Sequence, residues 1–262
     1  DHSREEILDH IGNASASRNP SSTYRNFIDG AFVEDDRATI EVYNPADGQF
    51  LGAVPQTSES SLDGAVQAAR LAQPAWEKLP AQDRATLLRQ ISGKIRSRAD
   101  DLTDTIVREQ GKVKALARVE VNFTADYIDY MAEWARRLEG EILTSDRPNE
   151  TILMFRKAIG TVAGILPWNF PFFLIARKLA PALVTGNTIV IKPSEETPLN
   201  AFKFAEIVSE TDLPNGVFNL VGGCGSDTGH ALASHPNIDL VTFTGSVGTG
   251  SKIMQAAAEN LT

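Results

Sequence analysis

The sequence predicts an α/β fold: a Rossmann-like parallel sheet with flanking helices, preceded by smaller strands and helices. Three observations carry that expectation. Short apolar runs at 161–166, 188–191, 217–221 and 240–243 alternate with helix-length segments at 172–184, 199–210, 227–233 and 250–259. Strand–helix–strand alternation implies a parallel sheet covered on both faces. The ends of the four runs carry unusual wording, "LPWNFP", "IKPSEE", "VGGCGSDTG" and "FTGSVGTG". Ligands of such sheets bind beyond the carboxyl ends of the strands.

The elements follow in order. Residues 1–22 are polar, rich in small residues and lack an apolar signal core, so they read as a flexible arm. From 24 to 56, short strands are expected. Asp29-Gly30 in "YRNFIDGAFV" is a hairpin signal, and Asn44-Pro45 and Asp47-Gly48 punctuate the next pair. From about 60 to 139 the apolar period becomes helical. Leu87, Leu88, Ile91 and Ile95 share one face, and Val119, Phe123, Tyr127, Met131, Trp134 and Leu138 another, with Gly140 as the expected stop. Those aromatics are expected in the core. The apolar stretch "TILMFRKAIGTVAGIL" reads as strand. The elements group into two parts, 23–140 and 159–262, with 141–158 between them.

Composition narrows the function. Of 262 residues, 42% are hydrophobic and 23% charged, as in a globular domain with a sizeable core. The balance of 25 basic against 34 acidic residues leaves −9 and no basic stripe, which argues against a nucleic-acid partner. No apolar segment is long enough to span a bilayer; the best candidate is interrupted by Arg156 and Lys157. One cysteine, Cys224, fits a reducing compartment, read as the cytoplasm. Neither His230 and His235 nor Cys224 has metal-ligand spacing, so no metal is expected.

Neither glycine stretch, 223-225-229 or 245-248-250, has the GxGxxG spacing, and each alone could simply turn the chain. Taken in order, however, "PWNFP", "TGNTIVIKPSE", "LPNGVFNLV" and "FTGSVGTG" closely resemble the NAD(P)-dependent aldehyde dehydrogenase family. The resemblance runs from about Tyr24 to the end. "FTADYIDYMAEWARRLEGEI", "DRPNETILMFRKAIG" and "PWNFPFFLIARKLAPAL" are most similar to its lactaldehyde/glycolaldehyde branch.

The resemblance implies NAD-dependent oxidation of a small hydroxy-aldehyde through a cysteine adduct, and assigns roles by position. Asn169 matches the donor that stabilises the developing oxyanion, a task for a neutral N–H. The bland alternative for Asn169 is a turn residue bonding its own backbone. Lys192 and Glu195 match the pair that holds the adenosine ribose, where a carboxylate favours NAD by repelling a 2′-phosphate. Their alternative is a solvated charge pair at a strand end. Gly245 and Ser246 match the pyrophosphate turn, with Phe243 at its entrance. Val247 stands where the family often has Thr. Gly225 and Gly229 match the loop near the adenine, where glycine is expected to serve close packing. Leu166, Pro167 and Trp168 match the walls on the nicotinamide side. Segment 141–158 resembles the family's oligomerising strands, which implies a homodimer or homotetramer. The family's general-base Glu and nucleophilic Cys belong to motifs that these 262 residues do not contain. Cys224 is expected to be packing, and the chain to be the cofactor-binding part of a longer enzyme. A homologue that binds a nucleotide without catalysis, and an acyl-phosphate reductase on the same fold, remain as alternatives.

Overall fold

A computed structural model describes residues 23–262; the expected arm at 1–22 lies outside the described residues. The chain opens with β1 (Asn26–Ile28) and β2 (Ala31–Val33), then β3 (Thr39–Tyr43) and β4 (Phe50–Pro55). Four helices follow: α1 (Glu59–Lys78), α2 (Ala81–Ser97), α3 (Ala99–Gln110) and α4 (Lys114–Ala132). A hairpin, β5 (Glu141–Thr144) and β6 (Thr151–Met154), leads to β7 (Thr161–Ile165) and α5 (Phe173–Val184). The alternation then continues through β8 (Thr188–Lys192), α6 (Leu199–Ser209), β9 (Phe218–Leu220), α7 (His230–Ala233), β10 (Leu240–Phe243) and α8 (Val247–Ala258).

The main sheet has the order β10-β7-β8-β9-β1-β2, parallel across its first four strands and antiparallel at the β1–β2 edge. The hairpin forms at Asp29-Gly30, with φ of 51° and 77°, and a side chain rarely adopts such values except as Gly, Asn or Asp. Sequence reasoning found this hairpin but not its place. Phe27 pairs with Leu220, so residues 23–140 and 159–262 share one sheet.

Alternate side chains of the central strands enter two cores, as the pleat requires. Val162, Ile189 and Ile191 pack with α2–α6, while Ala163, Ile165 and Val190 pack with α1, α7 and α8. Helices therefore cover both faces, as expected, and the four parallel strands release their carboxyl ends along one edge.

Several expectations are corrected. The stretch 151–166 is two strands: Asn187 Oδ1 accepts the N–H groups of Ile159 and Gly160 between them, and Gly160 has φ of 140°. Segment 227–233 opens with a π-turn at Gly225–Gly229 before α7. Helix α8 starts at Val247 rather than Gly250, because Ser246 Oγ caps it by accepting Thr249 N–H at 3.2 Å. Helix α4 ends at Ala132, well before Gly140.

The largest correction concerns which face of α4 is inside. Val119 and Phe123 are 61% and 53% exposed, and Trp134 and Leu138 also face outward. The buried face is Ala117, Val121, Thr124, Ala125, Ile128 and Ala132. Small residues let α4 approach its neighbours closely, and the larger side chains of the expected face fall at the rim. Phe123 and Tyr127 lean on Phe173, with ring centroids 4.6 and 5.5 Å apart.

Candidate active site

The four parallel strands deliver the predicted residues to one edge of the sheet. Leu166 to Asn169 follow β7, Lys192 and Glu195 follow β8, Gly222 to Gly229 follow β9, and Gly245 and Ser246 follow β10. Leu166 is buried and extends the ladder, its N–H donating to Lys192 O at 3.1 Å.

Lys192 is only 2% exposed, and its Nζ donates to Glu195 Oε2 at 2.8 Å. The other carboxylate oxygen accepts the N–H of Gly225 at 2.9 Å. That burial removes the solvated-pair alternative. It also lowers the Lys192 pKa, opposed by the Glu195 charge. Burial works against the Glu195 carboxylate too, but Lys192 and the Gly225 N–H outweigh it and hold its pKa below the usual value.

Glycine's role in the neighbouring loop differs from the expectation. A Cβ on Gly225 or Gly229 would come no closer than 3.6 Å to any protein atom. Protein packing therefore does not demand glycine there. It does at Gly222, where a Cβ would lie 2.4 Å from Pro55 O, and at Gly223, which has φ of 129°. A side chain on Gly225 would instead occupy the space beside the Lys192–Glu195 pair, and one on Gly229 would lie beside Lys192 and Cys224 O. That space suits a ribose, which offers hydroxyls to both a carboxylate and an ammonium.

At the β10–α8 turn the ring of Phe243 lies against Gly245, where a Cβ would meet it at 2.3 Å. Ser246 spends its hydroxyl on the helix cap, bonding Thr249 through both N–H and Oγ1. The α8 N-terminus therefore offers backbone N–H groups of Val247 and Gly248 to an anion. Val247 is fully outward, and a Cβ on Gly248 would meet nothing within 4 Å. A buried ammonium–carboxylate pair at β8 and unbonded backbone N–H groups at β10 are groups a dinucleotide could bond.

Asn169 is exposed, as are Trp168 and Phe170 beside it. Its Oδ1 accepts the N–H of Phe170 at 3.0 Å. The turn reading thus holds for the side-chain carbonyl. That bond takes the oxygen, and Nδ2 has no acceptor among the described residues.

Sequence reasoning missed several polar groups around this edge. Lys178 lies beside Arg177 in the otherwise apolar segment "FLIARKLAPALV"; a cation pair there was the available signal, and only the structure shows that Lys178 is the buried one. Its Nζ donates to Thr244 Oγ1 at 2.9 Å and Thr242 Oγ1 at 3.2 Å. Burial pushes its pKa down to about 8, and Arg177 adds to the effect. A lysine so tuned can exchange a proton near neutral pH. Gln110 and Lys112 reach the Asn169 loop from the α3–α4 connection; "EQGK" gave no sign of it.

Cys224 is partly exposed, and its N–H donates to Gln56 Oε1 at 2.9 Å. His235 bonds Asp63 at 3.0 Å, and no group of residues able to hold a metal ion occurs among the described residues.

A model of the aldehyde dehydrogenase family matches residues 32–262. The chain belongs to that family. It is 58% identical over 237 residues to a lactaldehyde dehydrogenase of Escherichia coli strain K12, covering 90% of this chain and 50% of the relative. A crystal structure of Escherichia coli lactaldehyde dehydrogenase superposes with a TM-score of 0.90 at 57% identity, over 92% of this chain and 50% of that one. A Staphylococcus aureus betaine aldehyde dehydrogenase in complex with NAD+ gives 0.88 at 33% identity, over 91% and 49%. The chain thus spans about half the length of these relatives. Membership of this family supports a nicotinamide cofactor.

Proposed function

We propose that the complete protein oxidises a small hydroxy-aldehyde, such as lactaldehyde or glycolaldehyde, to its carboxylic acid with NAD as hydride acceptor. The observation that carries this reading is the pairing of two strand ends. Asn169 presents a free Nδ2 after β7, and the buried Lys192–Glu195 pair stands after β8. In this reading Lys192 and Glu195 bind the adenosine ribose, and Glu195 disfavours a 2′-phosphate. The α8 N-terminus and Ser246 turn take the pyrophosphate beside Phe243, with Gly225 and Gly229 leaving room near the adenine. Leu166, Pro167 and Trp168 wall the nicotinamide side, and the bound cofactor supplies a hydride acceptor. Asn169 donates to the oxygen of the substrate as negative charge develops there.

The likeness to lactaldehyde dehydrogenase supports the substrate class, and the lone free cysteine supports a cytoplasmic setting. The nucleophile is assigned to residues outside this chain. Cys224 sits in the glycine loop that bonds Glu195, on the ribose side of the reading. We also propose that residues 141–158 join copies into a homodimer or homotetramer.

The test is aldehyde-dependent NADH absorbance. The complete polypeptide should turn over glycolaldehyde or lactaldehyde, whereas residues 1–262 alone should not. Nucleotide binding without turnover by the complete polypeptide would instead identify a non-catalytic homologue.

A further inference from the structure

The loop that carries Asn169 is gripped from behind by two side chains on either side of one glycine. Helix α3 ends at Gln110, and Gly111, with φ of 74°, reverses the backbone before α4. Gln110 Nε2 donates to Trp168 O at 2.8 Å and to Asn169 O at 2.7 Å. Lys112 Nζ donates to the same Asn169 O at 2.9 Å and lies 4.0 Å from the centroid of the Phe170 ring. Its charge is held by Glu120, whose Oε2 is 2.5 Å away and whose side chain is fully buried. The other oxygen, Oε1, accepts the N–H groups of Phe172 and Phe173 at the start of α5.

These contacts form a series that ends on the oxyanion donor. Lys112 and Gln110 pull on the carbonyl of the 169–170 peptide. The N–H of that peptide, on Phe170, donates to Asn169 Oδ1. The far end of the same amide is the free Nδ2. Hydrogen bonds in series polarise one another, and a cation at the head makes the first one strong. Electron density drawn toward Lys112 strengthens Phe170 N–H as a donor, which in turn polarises the Asn169 amide and strengthens its Nδ2–H.

We propose that Lys112, assisted by Gln110, is a positioning residue for the oxyanion donor. It acts through the 169–170 peptide to hold the Asn169 amide in place and make its Nδ2 a better donor. The proposal rests on the dehydrogenase reading for its catalytic consequence. The partners of Lys112 are Asn169 O, Glu120 and the Phe170 ring, so its effect on the reaction is argued through Asn169.

The experiment uses the complete enzyme. Lys112→Met should lower kcat about tenfold, part of the 10²–10³ expected when an oxyanion donor is lost outright. The KM for NAD should stay within about twofold. Lys112→Arg should recover most of the loss. Because Lys112→Met strands the buried Glu120 charge, Lys112→Met/Glu120→Gln removes both charges together, and Gln110→Leu weakens the grip while leaving the pair intact. Both should show the same split between kcat and KM.

The deciding measurement repeats Lys112→Met/Glu120→Gln in an Asn169→Ala background. If Lys112 acts through Asn169, kcat should fall less than about twofold further, within the scatter expected of one shared effect. A full additive loss there, or an unchanged kcat in Lys112→Met/Glu120→Gln with Asn169 intact, would overturn the proposal. A readout independent of turnover separates this from the dehydrogenase reading itself. The side-chain amide resonance of isotope-labelled asparagine, assigned to Asn169 by its loss in Asn169→Ala, should shift in Lys112→Met/Glu120→Gln. If the wild-type enzyme made no NADH, the dehydrogenase reading would fail, while an unmoved resonance would sink the positioning role.

Discussion

An amide at a strand end is ambiguous until its two atoms are told apart. In Asn169 the oxygen is spent on Phe170 N–H and the nitrogen is free, which is the arrangement an oxyanion donor requires. Asn169→Ala in the complete enzyme should therefore lower kcat by about 10²–10³ with little change in NAD affinity. A fall under about fivefold would return Asn169 to a turn role. Glu195 permits an equally direct test, since its carboxylate is fixed by Lys192 and the Gly225 N–H rather than free to swing aside. The complete enzyme should have a higher kcat/KM with NAD than with NADP, and Glu195→Gln should narrow that gap by improving NADP use. Equal values in the wild type would refute the selectivity argument. The roles proposed for Asn169, Lys192 and Glu195 came from the family resemblance, while their strand-end positions were legible because apolar runs stop there. Lys112, Gln110 and Lys178 were not, because their partners are backbone carbonyls and hydroxyls far along the chain. Spacing carries no trace of such contacts.

The helices show how buried charge can replace a local cap. Neither α5 nor α6 has a side-chain cap of its own. Glu120 on α4 serves the first, and Glu109 on α3 serves the second by accepting Leu199 N–H at 2.7 Å and Asn200 N–H at 2.9 Å. Carboxylates at helix N-termini are favourable for both hydrogen bonding and dipole. Burial, however, raises the Glu109 pKa from 4.5 to about 7, against the hydrogen bonds from Asn200 and Leu199 that pull it down. Since the folded value lies above the unfolded one, the folded state binds more protons across that window. Its contribution is complete below the unfolded pKa and is lost as pH rises through about 7. Glu109→Gln should accordingly flatten the decline of Tm between these two values. A pH profile unchanged by the substitution would show that Glu109 does not titrate there. Element types and order were legible from periodicity, and strand β10 even to its bounds. The inward face of α4 was not, because apolar spacing marks both a core face and an exposed rim. Only the packing of Ala117, Ala125 and Ala132 against neighbouring helices decides between them.

At the scale of the molecule, one element lacks the support the others share. The β5–β6 hairpin is a separate two-stranded sheet, and every residue in its strands is exposed. Two strands alone are marginal in water, and contiguous exposed apolar side chains mark a surface that something covers. Ile142 and Leu153 stand opposite each other on one face, and Ile142 and Phe155 are 77% and 75% exposed. Both outer edges of the ribbon also keep unpaired backbone groups, which a second strand could satisfy. A second copy of the same hairpin would offer matching chemistry, and a two-fold arrangement sets the same patch against itself. If copies join through this ribbon, as proposed, carboxylates on that face should break the assembly and leave the strand ends of the main sheet undisturbed, because the hairpin is not part of that sheet. Ile142→Asp/Leu153→Asp in the complete protein should therefore reduce the mass found by light scattering to that of a smaller assembly or a monomer. NADH binding should remain measurable in the same sample. An unchanged mass would remove residues 141–158 from the interface and leave the ribbon's exposed face unexplained.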